Sequence, residues 1–350
     1  MSKGTVFITG ATGFLGSIFL LEALKKGYSA HVVVRSQSKG EIVKDFVASH
    51  GFSNEPAEGK PHCAYFIVPD LTLPGALDEA VRGTDCILHC ASPLPFADLP
   101  ADRQQAEMID PAIACTLNML ESVRTAGGAT VKRVVVLASL IAFANADVMG
   151  PTWVPAEGQE IYPNEDTLND YISPPFPNLL IAYCAAKTAA LRSSLDWMSS
   201  KQAEGTPSAS TWLTWRRPTS NSMLLAPVVG RASDPQGPLC VGGAVHVDDL
   251  TEICLESLDP AGKVRTPASG PDRGVANFCI SVDVVWNDAK RSVAAKWPAH
   301  VESGLLPNQG DFPTKPRIRF ASRKTEETFG IKLKGLEEMV ETIVPQTIPP

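Results

Sequence analysis

The feature that most constrains this chain is a regular alternation that starts at its first residues. Residues 5–9, Thr-Val-Phe-Ile-Thr, form a short β-rich run. A turn of small residues follows at once, and then an amphipathic segment over 14–26 with Ile18, Leu21 and Leu24 on one face. Further apolar runs at 30–34, 63–68, 86–89 and 134–137 are interspersed with helical patterns at 75–82 and 103–124. Strands that read as continuous hydrophobic runs between helices belong in a parallel sheet covered on both faces. Right-handed crossovers then make the expected fold α/β and doubly wound. A chain of 350 residues, 44% hydrophobic and 20% charged, can bury such a core as one large domain or two closely associated ones.

The texture changes after Ser139. Segment 147–178 carries Pro151, Pro155, Pro163, Pro174, Pro175 and Pro177, and reads either as a surface excursion or as a wall of an active site. A helical pattern over 181–200 and a strand at 211–215 follow. Beyond Arg216 the alternation breaks down at Gly/Pro/Ser-rich joints over 203–209, 232–238 and 259–274. We therefore expect a sheet domain over 1–215, with the chain returning to it at about 242–258. Residues 216–350 would form a smaller, irregular lobe interleaved with the first.

A formal charge of −7 makes nucleic acid and anionic lipid poor partners. No apolar stretch approaches the roughly 18 residues of a membrane span, and the first residues lead into a strand, unlike a signal peptide. The eight cysteines include no C-x-x-C pair and no zinc spacing with histidine, so reduced thiols, a cytoplasmic location and no metal are expected.

Chemistry enters at the turn Gly10-Ala11-Thr12-Gly13-Phe14-Leu15-Gly16. Placed between a strand and a helix, it lets the backbone approach a pyrophosphate, while the helix N-terminus offers free N–H groups and a positive dipole end. The spacing is GxxGxxG, and its context points to dinucleotide binding. A carboxylate about 20 residues on would hold the ribose 2′-hydroxyl of NAD. Here the second strand ends in Arg35-Ser36-Gln37-Ser38-Lys39, with no acid and two cations suited to a 2′-phosphate, so NADP(H) is expected. The alternative is that Arg35 and Lys39 are solvated loop cations. Asp70-Leu71 should border the adenine, and Cys90-Ala91-Ser92 the pyrophosphate and nicotinamide ribose.

Tyr183 and Lys187 stand four residues apart on the predicted helix and so share a face. Ser139 follows the fifth strand, at the sheet edge where ligands bind in such folds. Hydride delivery to a carbonyl leaves negative charge on oxygen, which must be stabilised and protonated. A free phenol, with a pKa of about 10, is a poor acid or base at neutral pH. A nearby ammonium and an oxidised nicotinamide would favour its phenolate, and a serine hydroxyl can hold the substrate oxygen.

Together the 9–16 turn, Ser139 and Tyr183-x-x-x-Lys187 resemble the extended short-chain dehydrogenase/reductases. The closer likeness is to the subgroup of dihydroflavonol reductase, cinnamoyl-CoA reductase and yeast-type methylglyoxal reductases. Residues 35–39, 68–70, 88–93, 110–112, 245–250, 320–330 and 336–344 support it. The resemblance implies NADPH-dependent carbonyl reduction, with Ser139 orienting the carbonyl, Tyr183 donating the proton and Lys187 binding the nicotinamide ribose. Arg217-Pro218 resembles the pair found after the sixth strand, which places Pro218 at the coenzyme. Departures are Ala138 before the serine and Ala112 where shorter members of the superfamily place a relay Asn. Asn118 is read as structural.

Two other functions compete. One is an epimerase or dehydratase acting on a nucleotide sugar; dehydratases of this superfamily carry an Asp-Glu pair just after the serine, where this chain has Leu140 and Ile141. Those two, with Leu94, Phe96 and Met223, fit a hydrophobic carbonyl substrate better than a nucleotide sugar. A non-catalytic NADPH-binding regulator would have no need of the Ser-Tyr-Lys trio. His246 and Asp248 are read as structural, and a monomer and a homodimer both remain open.

Overall fold

Strand β1 (Thr5–Thr9) is buried almost throughout and leads through the glycine turn into α1 (Phe14–Lys25). Next come β2 (Ser29–Val34), α2 (Gln37–Ser49), β3 (Cys63–Ile67), α3 (Asp78–Val81) and β4 (Cys86–His89). They are followed by α4 (Asp110–Ser122), β5 (Arg133–Leu137), α5 (Leu179–Ala203) and β6 (Thr211–Thr214). In this computed structural model the described residues are 3–92, 99–128, 130–143, 173–176, 178–203, 211–214, 240–266, 274–309, 314–315, 319–320 and 322–348. Leu94, Phe96, Pro218 and Met223 lie outside them, as does most of the proline-rich 147–178 stretch.

The main sheet runs β3-β2-β1-β4-β5-β6, with a seventh strand, Asn277–Cys279, at the far edge. Every registered neighbour pair among the first six strands is parallel. The order reverses direction beside β1, where consecutive connections leave toward opposite edges. That is the doubly wound arrangement, and its crevice lies at the carboxyl ends of β1 and β4. The core is Val6, Phe7 and Ile8 of β1, Val32 of β2, Ile87 and Leu88 of β4 and Val135 of β5, with Phe19, Leu20 and Leu24 of α1.

Local details differ from the sequence reading. The buried residues of α1 are Leu15, Gly16, Phe19, Leu20, Ala23 and Leu24, whereas Ile18 and Leu21 are only half-buried. Apolar residues surround this helix, so periodicity alone does not choose its inner face; the close approach of Gly16 to the turn does. The helical pattern over 103–124 is a composite: a 3-10 turn at Ala101–Arg103, a π turn at Gln105–Ile109, α4, and a second π turn at Val123–Gly127. Pro111 in the first turn of α4 has no N–H to give, so the chain enters the α-helix through the wider π turn.

The chain divides into two compact units: residues 1–138, 170–214 and 251–277 form one, and residues 139–169, 215–250 and 278–350 the other. The second is built around Ala244, Val284, Trp286, Ala289, Val293, Leu306, Met339, Val340 and Val344. In it His246 is buried; its Nδ1 accepts the Asp248 N–H at 3.2 Å and its Nε2 lies 2.8 Å from Thr342 Oγ1. Lys334 pairs with Asp249 at 3.0 Å. No described helix is long and apolar enough to cross a membrane.

Candidate active site

The glycine turn is shaped by its own backbone. Gly10 adopts φ +77°, a conformation that side chains disfavour, and its carbonyl accepts the Gly13 N–H at 2.9 Å. A Cβ on Gly16 would lie 2.1 Å from the Gly10 oxygen, so only glycine allows the helix to sit this close. The N-terminus of α1 has no side-chain cap and no acid in its first turn, and the first recurring bond is Ser17 N–H to the Gly13 carbonyl at 3.0 Å. The leading amides therefore face an open end with positive polarity. Phe14 is 48% exposed there, an aromatic face left in solvent beside the turn. This uncapped, glycine-cradled end fits a dinucleotide pyrophosphate.

Arg35 follows β2 and is exposed, as is Lys39 in the first turn of α2. Ser36 caps that helix, accepting the Lys39 N–H at 3.4 Å and lying 2.9 Å from Ser38 Oγ. A helix N-terminus with two cations is a site for a second anion. Helix α2 went unread in the sequence because Gly40 stands in its first turns. A Cβ there would meet the Tyr65 ring at 2.4 Å, so packing accounts for the glycine. Asp70, past β3, is exposed, and its carboxylate accepts the N–H and hydroxyl of Thr72 at 2.8 and 2.6 Å. Those bonds, and more weakly the Arg35 charge, hold its carboxyl below the usual range. Asn118 of α4 donates to the Leu71 carbonyl at 3.3 Å, a structural role.

Tyr183 and Lys187 lie on α5, one turn apart and both half-buried, with Lys187 Nζ 5.3 Å from the centre of the Tyr183 ring. The ammonium also donates to Ser92 Oγ at 2.5 Å. Cys115 of α4 approaches the Ala91 carbonyl at 4.0 Å, beneath the same turn. Burial keeps that thiol protonated, with its pKa pushed up to about 11, and Cys90 is likewise raised. A thiol held protonated in this way is a poor nucleophile. Tyr183, Lys187, Ser92 and the strand ends of β1 and β4 are thus brought together in one unit.

Ser139 stands two residues beyond β5, buried, at the start of the 3-10 turn Leu140–Ala142, and Leu140 and Ile141 are buried too. All three belong to the second unit. Sequence reasoning included Thr9 and His89 in its motifs but gave neither buried polar residue a role of its own. The available signal was that each ends an otherwise apolar strand and that they pair in register across β1 and β4. A cavity of 480 Å³ lies at the opposite, amino-terminal edge of the sheet, among Lys3, Tyr28, Asp85 and Lys132. Lys132 there lies 3.7 Å from Asp85. Ligands of open α/β sheets bind at the carboxyl edge, away from this cavity.

A doubly wound parallel sheet whose first turn cradles the open end of α1 defines a dinucleotide-binding class of α/β protein. The chain belongs to the NAD dependent epimerase/dehydratase family, whose model matches residues 6–206. Ketoreductase CTB6 of Cercospora beticola is 30% identical over 364 residues, covering 99% of this chain and 95% of that protein. The NAD-dependent epimerase/dehydratase ALT6 of Alternaria alternata is 34% identical over 365 residues, 96% of each. Yeast methylglyoxal/isovaleraldehyde reductase Gre2, solved with NADPH, shares the fold with a TM-score of 0.73 over 98% of each chain, at 17% identity.

Proposed function

We propose that this chain is an NADPH-dependent carbonyl reductase that converts a ketone or aldehyde to an alcohol. The observation that carries the reading is the Tyr183–Lys187 pair on α5, one turn apart and tied to the turn after β4. Kinship with a ketoreductase over nearly the whole chain supports it. When bound, NADPH supplies the hydride to the carbonyl carbon. Gly10, Thr12, Gly13, Phe14, Leu15 and Gly16 hold the pyrophosphate at the head of α1, and Arg35 and Lys39 hold the 2′-phosphate at the head of α2. Asp70 and Leu71 border the adenine. Cys90, Ala91, Ser92 and Pro218 line the nicotinamide side.

Tyr183 gives its phenolic proton to the carbonyl oxygen, and the Lys187 ammonium favours the phenolate left behind. Lys187 also engages the nicotinamide ribose, while Ser139 orients the substrate oxygen. Residues 216–350 supply most of a substrate lobe, and Leu94, Phe96, Leu140, Ile141 and Met223 give the pocket apolar character. Elimination chemistry, which the family's name admits, would need an acid/base pair where Leu140 and Ile141 stand.

The test is consumption of NADPH against a panel of aromatic and aliphatic ketones and aldehydes. Turnover of at least one apolar carbonyl is expected, with NADPH preferred to NADH and Arg35→Asp shifting that preference toward NADH. No turnover across the panel, or a preference unmoved by Arg35→Asp, would count against the corresponding part of the reading.

A further inference from the structure

The reading above leaves one buried polar pair without a task. Thr9 and His89 are register partners at the carboxyl ends of β1 and β4, exposed by only 0% and 2%. Thr9 Oγ1 lies 3.0 Å from His89 Nδ1. The same oxygen accepts the N–H groups of Cys90 at 3.1 Å and Ala91 at 3.0 Å. A hydroxyl oxygen has two lone pairs and one proton. Both lone pairs are taken, so the proton points to Nδ1, and the imidazole is the neutral Nε2–H tautomer. A proton on Nδ1 would set a third donor against a filled oxygen.

The Nε2 of His89 is buried without a hydrogen-bond partner among the described residues. A buried donor left unmatched costs about 1–3 kcal/mol, which an apolar side chain of similar size would not incur. What the pair holds is the turn after β4: Thr9 grips the amides of residues 90 and 91, and the next residue, Ser92, accepts the Lys187 ammonium.

We infer that His89 is a positioning residue for the reaction: by taking the Thr9 hydroxyl proton it fixes the 90–92 turn, and with it the Ser92 oxygen on which Lys187 is aimed. The inference rests on the proposed roles of Tyr183 and Lys187. The groups facing Lys187 include Tyr183 on its own helix, His89 and Ser92 from β4 and its turn, and the Cys115 thiol from α4. A charged imidazole at His89 would oppose the lysine. Burial first, and the Lys187 charge second, push its pKa down to about 4, so it stays neutral where the enzyme works.

Two substitutions separate positioning from packing. Asn at 89 retains an acceptor near the Nδ1 position, and Leu removes it. For His89→Leu we expect kcat about tenfold lower, little change in the carbonyl KM, and a Tyr183-linked limb of the pH–rate profile displaced to higher pH. His89→Asn should restore both toward wild type. Thr9→Val, which keeps the shape and loses the hydroxyl, should reproduce the His89→Leu profile and serves if His89→Leu does not fold.

A readout independent of turnover is the ¹⁵N spectrum of histidine-labelled protein without coenzyme, with the His89 signals assigned by His89→Asn. It should show an unprotonated Nδ1, a protonated Nε2 and no titration between about pH 5.5 and 8. A folded His89→Leu with wild-type kcat and limb, a His89→Asn as impaired as His89→Leu, or an Nδ1–H imidazole overturns the inference. Loss of turnover in Tyr183→Phe beside an unaltered His89→Leu would sink this inference alone. Retained turnover in Tyr183→Phe would instead reject the reading beneath it.

Discussion

Gly10 and Gly16 are glycine for reasons that Gly13 does not share. Gly10 needs its positive φ, and a Cβ on Gly16 would strike the Gly10 carbonyl at 2.1 Å. Gly13 has an ordinary φ of −88°, and a Cβ there meets nothing closer than 3.3 Å. Its bareness serves the approach of a ligand. Gly16→Ala should therefore destabilise the fold by about 1–3 kcal/mol, through backbone displacement. Gly13→Ala, whose Cβ meets the Gly10 carbonyl oxygen at 3.3 Å, should lose less stability than Gly16→Ala and yet bind NADPH at least tenfold more weakly. Thermal melts beside NADPH fluorescence titrations check both; equal melting losses for the two variants would refute the distinction. The turn, Tyr183 and Lys187 were legible because fixed spacing carries their geometry. Thr9 and His89 were not, since their meaning comes from register between strands 80 residues apart.

At the scale of elements, strand alternation was readable and helix faces were not. Continuous apolar runs marked β1 to β5, because each is covered on both faces. Helix α2 was hidden by Gly40, whose cause is the Tyr65 ring on β3, and the π turns around α4 have no periodic signature. The tie between β1 and β4 makes a pH-dependent prediction. His89 has a native pKa of about 4, below the roughly 6.5 of an exposed histidine, so the unfolded chain binds the proton more readily. Its contribution is present above about pH 6.5 and is lost as pH falls toward 4, amounting to about 3 kcal/mol across the window. Urea unfolding at pH 7 and pH 4.5 should show wild type losing more stability than His89→Asn. Titrating carboxylates act equally on both and cancel in the comparison. Identical losses would contradict the buried neutral imidazole.

For the whole molecule, the first unit was the readable one because its strands and helices alternate, and its ligand edge follows from where the strand order reverses. The second unit resisted reading. Its described strands include two-residue pieces, such as Gly243–Ala244 with Val282–Asp283, too short for a period. Its core joins residues as distant as Ala244 and Val344. The claim on which the account turns is that the Tyr183 phenol protonates the carbonyl oxygen as the carbon is reduced. Its most direct test is to measure NADPH affinity and carbonyl turnover side by side in wild type and Tyr183→Phe. The account predicts affinity within about twofold and turnover lower by about a thousandfold, within the span typical of general acid catalysis. A Tyr183→Phe enzyme that binds NADPH and turns over within tenfold of wild type would contradict it.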